Sequence, residues 1–249
     1  MSLRVAAVEL PHRYDAADAQ WSALAGWMRA RAHEVELAVL PEAALTGYIS
    51  PVGRCDLSPF AEPLDGPTVD RARALAEACG MALVCPLIER EGARCYNASV
   101  LIDAKGVVRG RYRKRHPWYP EAWAAPGDLG SPVWSLGGLR LGIAVCFDLH
   151  FVEEDQGAAL GACDGLLFPS AWVEDGRGDS RGPRLGGLAK RYGLAVVNAN
   201  WGRGVPRVPG QGGSRIVGPA GAPCGVSRVD AEIRSVEALL GPRSGCVSA

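Results

Sequence analysis

Short runs of branched apolar residues alternate with segments of helical periodicity almost from end to end of this chain, and this alternation limits the fold more than any other feature. LRVAAVEL (3–10), VELAVL (35–40), MALVCPLIE (81–89), the run 139–146, GLLF (165–168), LAVVNAN (194–200) and a short stretch at 214–217 read as strands. Between them, Ala17, Trp21, Leu24 and Met28 fall on one helical face, with Asp15 available as a cap. DGPTVDRARALAEACG (65–80) has Pro67 placed for a first turn and Gly80 for a stop. Further helices are expected at 152–162 and near 183–192. CYNASVLI and VVRGRYRK, separated by Asp103-Ala104-Lys105-Gly106, read as a β-hairpin. Near-continuous apolar strands are what a sheet covered on both faces requires, so the expectation is a layered α/β fold. With 249 residues, no repeat and no domain-sized linker, 1–249 is expected to be a single domain.

Composition removes several classes of function. There are 27 basic and 27 acidic side chains, so no net charge draws the chain to nucleic acid or to an anionic membrane. The basic run RGRYRKRH (109–116) alternates between strand faces and makes no broad patch. No segment is long and apolar enough to span a bilayer, and the N-terminus enters a strand-like run without a basic leader. The eight cysteines (55, 79, 85, 95, 146, 163, 224, 246) form no C-x-x-C pair and accompany no histidine cluster. They are read as mostly reduced in a cytoplasmic protein with no structural metal. The C-terminal CVSA carries a cysteine at a prenylation position, but Ser248 fits that signal poorly.

Three polar residues stand just after strand-like runs: Glu42, Lys114 and Cys146. Open α/β sheets form their sites at such ends. Singly, each has a plain structural explanation: a first-turn acid, one charge on a solvated strand, a small core residue. Together they make a base, a cation for an oxyanion, and a nucleophile whose thiol needs the other two to become reactive. A Cys146 dyad with His116 or His150 is the competing catalytic arrangement, but it leaves LPEAALTGY (40–48) unexplained. The Gly-rich loop 202–213 lacks the context of a phosphate cradle and reads as a mobile loop or a dimer contact.

LPEAALTGY, YRKRH (112–116) with Glu121 and Pro126-Gly127-Asp128, and GIAVCFDLHFVEE (142–154) resemble, in order, the three catalytic blocks of the nitrilase or carbon–nitrogen hydrolase superfamily. YNASVLIDAKGVV (96–108), DGLLFPSAW (164–172) and VVNANWG with GGSRIVGPAG (196–221) resemble further blocks, so the likeness covers nearly the whole chain. The resemblance implies an α-β-β-α sandwich that pairs with a second copy, with no cofactor and no metal. It implies a triad of Glu42 as general base, Lys114 as oxyanion cation and Cys146 as nucleophile, with Glu121 orienting substrate and water. The backbone N–H of Phe147 would join Lys114 in the oxyanion hole, and Trp172, Tyr48, Trp118 and His150 would contact substrate. The implied reaction is hydrolysis of a small-molecule, non-peptide amide through a thioester.

The chain departs from the common block at two points, with His150 where arginine is frequent and Val152 where proline is frequent; Arg191-Tyr192 also replaces a frequent Glu-Asn. Members that act on nitriles typically carry Trp-Glu after the cysteine, and this chain carries Phe147-Asp148, which favours amides. A carbamoyl-amine hydrolase, a nitrilase and a catalytically silent scaffold remain the alternatives. Substrate size would be set by the loops 115–126, 173–183 and 202–212.

Overall fold

A computed structural model describes residues 1–243 and the backbone of 246–248; the side chains of the CVSA terminus lie outside the described residues. Two mixed sheets lie face to face. The first has the order β12 (Val226–Asp230), β13 (Ile233–Leu240), β1 (Leu3–Glu9), β2 (Leu37–Val39), β3 (Ala82–Glu91), β4 (Arg94–Ile102) and β5 (Val108–Arg113), with β14 (Cys246–Ser248) also pairing β13. The second runs β11 (Pro223–Cys224), β10 (Arg215–Val217), β9 (Ala195–Asn200), β8 (Gly165–Ser170), β7 (Leu139–Ile143) and β6 (Val133–Leu136). Parallel pairing joins β1, β2 and β3 in one sheet and β7, β8 and β9 in the other; the outer pairs are antiparallel.

The apolar runs are continuous because successive residues serve different interfaces. In β1, Leu3, Val5 and Ala7 face the other sheet while Ala6, Val8 and Leu10 face helices; β2 and β3 repeat the split with Val39 against Ala38 and Val84 against Leu83. The helix-facing set packs on α1 (Ala17–Arg31) and α2 (Pro67–Cys79) through Trp21, Leu24, Met28, Val69, Ala72 and Ala76. Helices α3 (Val152–Leu160) and α4 (Arg181–Tyr192) pack their apolar residues on the second sheet, giving four layers, α-β-β-α. No helix among the described residues is long and apolar enough to cross a membrane.

Several local expectations change. Asp15 does not cap α1; it sits at a φ of 51°, and Ala16 precedes the helix without a side-chain cap. The strand expected over 139–146 ends at Ile143, so Cys146 stands beyond it. MALVCPLIE is not a lone strand but the first arm of a β3–β4–β5 meander, because Gly92 in the left-handed region turns β3 back on β4. Strands β12 and β13 went unread: β13 sets Val236, Ala238 and Leu240 toward the other sheet and Ser235 and Glu237 on its opposite face, and it lies second from the sheet edge, between β12 and β1. The loop 202–213 is held at both ends rather than loose, Gly202 N–H donating to Leu10 O and Gly212 N–H to Trp201 O, each at 2.7 Å. Among the described residues six cysteines are free thiols, and Cys224 is disulfide-bonded.

Candidate active site

Glu42, Lys114 and Cys146 leave three different strands, and the facing of the two sheets brings them together. Glu42 follows the end of β2 in a tight turn whose next residue, Ala43, has φ 49°. Lys114 is the residue after β5. Cys146 begins a short 3₁₀ turn, Cys146–His150, with φ 48°, a left-handed conformation that costs a non-glycine residue about 1–2 kcal/mol. Backbone strain of this kind is found beside reacting groups because the surrounding structure must over-determine it.

Lys114 Nζ donates to Glu42 Oε1 at 2.7 Å and to Glu121 Oε1 at 2.8 Å, and all three side chains are buried. The solvated-strand explanation of Lys114 is thereby excluded. Burial opposes the charge on Lys114, but the two carboxylates outweigh it and hold the ammonium well above its usual range. Burial pushes the Glu121 carboxyl up to about 7, against the pull of Lys114. Burial, reinforced by the neighbouring Glu42 carboxylate, raises the pKa of the Cys146 thiol well above normal despite Lys114. The thiol therefore rests protonated, and the lysine alone does not ionise it.

Further groups complete the cluster; the sequence reading missed Asn97 and the Ala171 N–H, and gave Tyr48 and Trp118 a different task. Asn97, on β4, donates through Nδ2 to Glu42 Oε1 at 2.7 Å and reaches Glu121 Oε1 at 3.4 Å. Its signal was a polar residue on a strand whose other side chains are almost all buried. The Ala171 N–H donates to Glu42 Oε2 at 2.8 Å, so each carboxylate oxygen has a fixed donor. Glu121 is held by the Tyr48 hydroxyl at 2.8 Å and the Trp118 N–H at 3.1 Å.

A cavity of about 90 Å³ opens at Cys146, bounded by Ala171 and by the rings of Trp118, Phe147, His150 and Trp172. His150 stacks on Trp172 with centroids 5.7 Å apart and planes within 9°. Trp172, Trp118 and His150 line this cavity, whereas Tyr48 does not and holds Glu121 instead. Neither histidine serves the thiol: His116 Nε2 is taken by Asp155 at 2.5 Å and its ring stacks on Phe151 at 4.1 Å, while His150 packs among aromatic rings. The basic run is neutralised residue by residue. Arg109 meets Asp103, Arg111 and Arg113 meet Glu89, and Arg115 and His116 meet Asp155. Among the described residues no group of His, Cys, Asp and Glu side chains is arranged to hold a metal.

Comparison with known proteins bears on the fold and the family. A nitrilase from Pyrococcus abyssi is 34% identical over 140 residues, 55% of this chain and 53% of its own length. The chain's matches span about half the length of such curated relatives. Among solved structures, a CN-hydrolase superfamily protein from Xanthomonas campestris with an arsenic adduct in its active site superposes with a TM-score of 0.80 at 21% identity, covering 97% of this chain and 91% of that one. A Nesterenkonia amidase, captured with the acetamide moiety of fluoroacetamide covalently added to its active-site cysteine, gives 0.76 at 26% identity, covering 97% and 91%. The carbon-nitrogen hydrolase family model matches residues 4–226, a span that contains both sheets' parallel cores and the whole Glu42, Lys114, Glu121 and Cys146 cluster. The chain belongs to the carbon-nitrogen hydrolase family.

Proposed function

We propose that this single-domain protein is an amidase that hydrolyses a short, uncharged amide through a Cys146 thioester. The observation that carries the reading is the buried, hydrogen-bonded Glu42–Lys114–Glu121 set beside a buried Cys146 that opens on an aromatic cavity. Because the thiol rests protonated beside Glu42, its attack on the carbonyl carbon delivers the proton to Glu42 as the C–S bond forms. Lys114 and the Phe147 N–H hold the oxyanion. Glu42 returns the proton to the departing nitrogen, ammonia or an amine leaves, and the thioester remains. Water, oriented by Glu121, then attacks the thioester; a carboxylate takes its proton, the acid is released and the thiol is restored.

The cavity supports a short acyl group. About 90 Å³ is roughly the room of three waters, far below the pockets that take drug-sized ligands. Its aromatic walls favour an apolar group and supply no charge for a carboxylate tail. The protein is expected to act as a homodimer in the cytoplasm, on small molecules and without nucleic acid or membrane.

Intact mass spectrometry after mixing with formamide, acetamide, propionamide, longer and carboxylated amides, N-carbamoyl amines and nitriles tests the reading. An acyl mass on the wild type that is missing from Cys146→Ala, confined to the short neutral amides, is the expected result. Adducts only from carbamoyl compounds or nitriles would move the assignment within the family. No adduct and no released ammonia or amine from any compound would mark a silent scaffold.

A further inference from the structure

Asp148 is buried, with 1% of its surface exposed, yet it neither faces the cavity nor touches the thiol. Its carboxylate divides its bonds between the two sheets. Oδ1 accepts from the N–H groups of Arg115 at 3.1 Å and His116 at 2.8 Å, the two residues directly after Lys114. Oδ2 accepts from the N–H of Val145 at 3.0 Å, the residue directly before Cys146, and from the Tyr112 hydroxyl at 2.7 Å, two residues before Lys114. Tyr112 is steadied in turn by Gln156 of α3.

We infer that Asp148 is a positioning residue that sets the register of the Cys146 turn against the Lys114 strand end. The inference rests on the reading of Cys146 as nucleophile. Lys114 is flanked on both sides by groups bonded to this one carboxylate, and the strained φ of Cys146 is fixed from the preceding peptide by the same side chain. Lys114 itself is bound to Glu42, the carboxylate that acts on the thiol, so a shift of one sheet end against the other would separate Cys146 from the Glu42–Lys114 pair. Displacement of a reacting group by about 1 Å costs on the order of 100-fold in rate.

No other side chain meets this pattern of donors. All four donors need an acceptor, and an ionised carboxylate presents two oxygens that accept on every side. Asparagine keeps the shape but turns an NH₂ toward one donor pair, so either the Lys114 side or the Cys146 side loses its anchor. Burial raises the Asp148 carboxyl, while Lys114 and the N–H groups oppose that rise and favour the accepting, ionised form.

The test is the alkylation rate of Cys146 by iodoacetamide, a short amide that the cavity can orient, read peptide by peptide alongside the melting temperature. Cys55, half-buried and outside the cavity, serves as the internal reference. Two roles for Asp148 predict opposite signs. Mere loosening of the structure exposes thiols and speeds alkylation of all of them, whereas loss of register slows Cys146 alone. Asp148→Asn is expected to slow Cys146 by at least about tenfold with Cys55 unchanged, and Tyr112→Phe, which removes one of the four donors, by about threefold. If Asp148→Asn does not fold, Tyr112→Phe decides: slower Cys146 alkylation at a near-native melting temperature supports the inference. A rate for Cys146 that is unchanged or faster in the folded variants overturns it. If the wild-type Cys146 reacts no faster than Cys55, the nucleophile reading itself fails, and the positioning role falls with it.

Discussion

At the residue scale, the chemistry comes from burying more charge than one lysine can neutralise. Lys114 has two carboxylates for one ammonium, and Glu121 is the one left with a pKa of about 7 against an ordinary 4.5. The linkage runs in one direction. Between pH 4.5 and about 7 the folded protein keeps a proton that the unfolded chain gives up, so this group's contribution to stability is complete below pH 4.5 and is lost as pH rises through 7. Glu121→Gln should remove that slope, worth on the order of 2 kcal/mol across the window, in urea titrations at pH 5 and pH 7.5. Lys114→Met leaves two buried carboxylates facing each other without their cation and should cost about 3–5 kcal/mol, read as a fall in melting temperature, together with activity. Glu42 was legible in the sequence because it interrupts an apolar run. Asn97, the Ala171 N–H and the hold of Tyr48 on Glu121 were not, because a side chain's partner 24 to 129 residues away leaves no local trace.

At the level of elements, the site depends on how strands end. β2, β5 and β7 each stop one to three residues before a member of the candidate site, β2 just ahead of Pro41 and the other two with no proline or asparagine in the next three residues. The segment Pro126-Gly127-Asp128 closes over the end of β5: Gly127 N–H donates to Lys114 O at 2.8 Å, and a Cβ on Gly127 would lie 2.1 Å from Arg113 O. Gly127→Ala must therefore push the strand end away. A loss of at least about 2 kcal/mol in stability is expected by chemical denaturation, with a larger proportional loss of Cys146 reactivity. Helix positions were read within a few residues because their apolar spacing is a local property; α2 with its Gly80 stop is a case in point. The end of β7 was misplaced because Ala144 and Val145 are as apolar and buried as the strand that precedes them.

Across the whole molecule, the least legible part is the C-terminal quarter. β13 pairs with β1 over seven residues, from Leu3 opposite Leu240 to Glu9 opposite Arg234, and Glu237 on it meets the buried Arg31 of α1. An antiparallel partner this distant in sequence gives no periodic signature beyond its own alternation, whereas β1, β2 and β3 announce themselves by being apolar on both faces. Removing residues 226–249 uncovers the edge of β1 and leaves Arg31 without Glu237. The truncated chain should be recovered insoluble or unfolded, as judged by circular dichroism and size exclusion.

Glu42, Asn97 and Lys114 belong to one sheet, and Cys146 and the Ala171 N–H to the other. Neither half holds a working set of groups, so the catalysis proposed at Cys146 doubles as a gauge of how well the sandwich is closed. Should the layers part slightly, before either sheet frays, the protein would keep its secondary structure and carry an ordinary, idle cysteine. Heat or mild denaturant would then silence it ahead of any change in its far-ultraviolet spectrum.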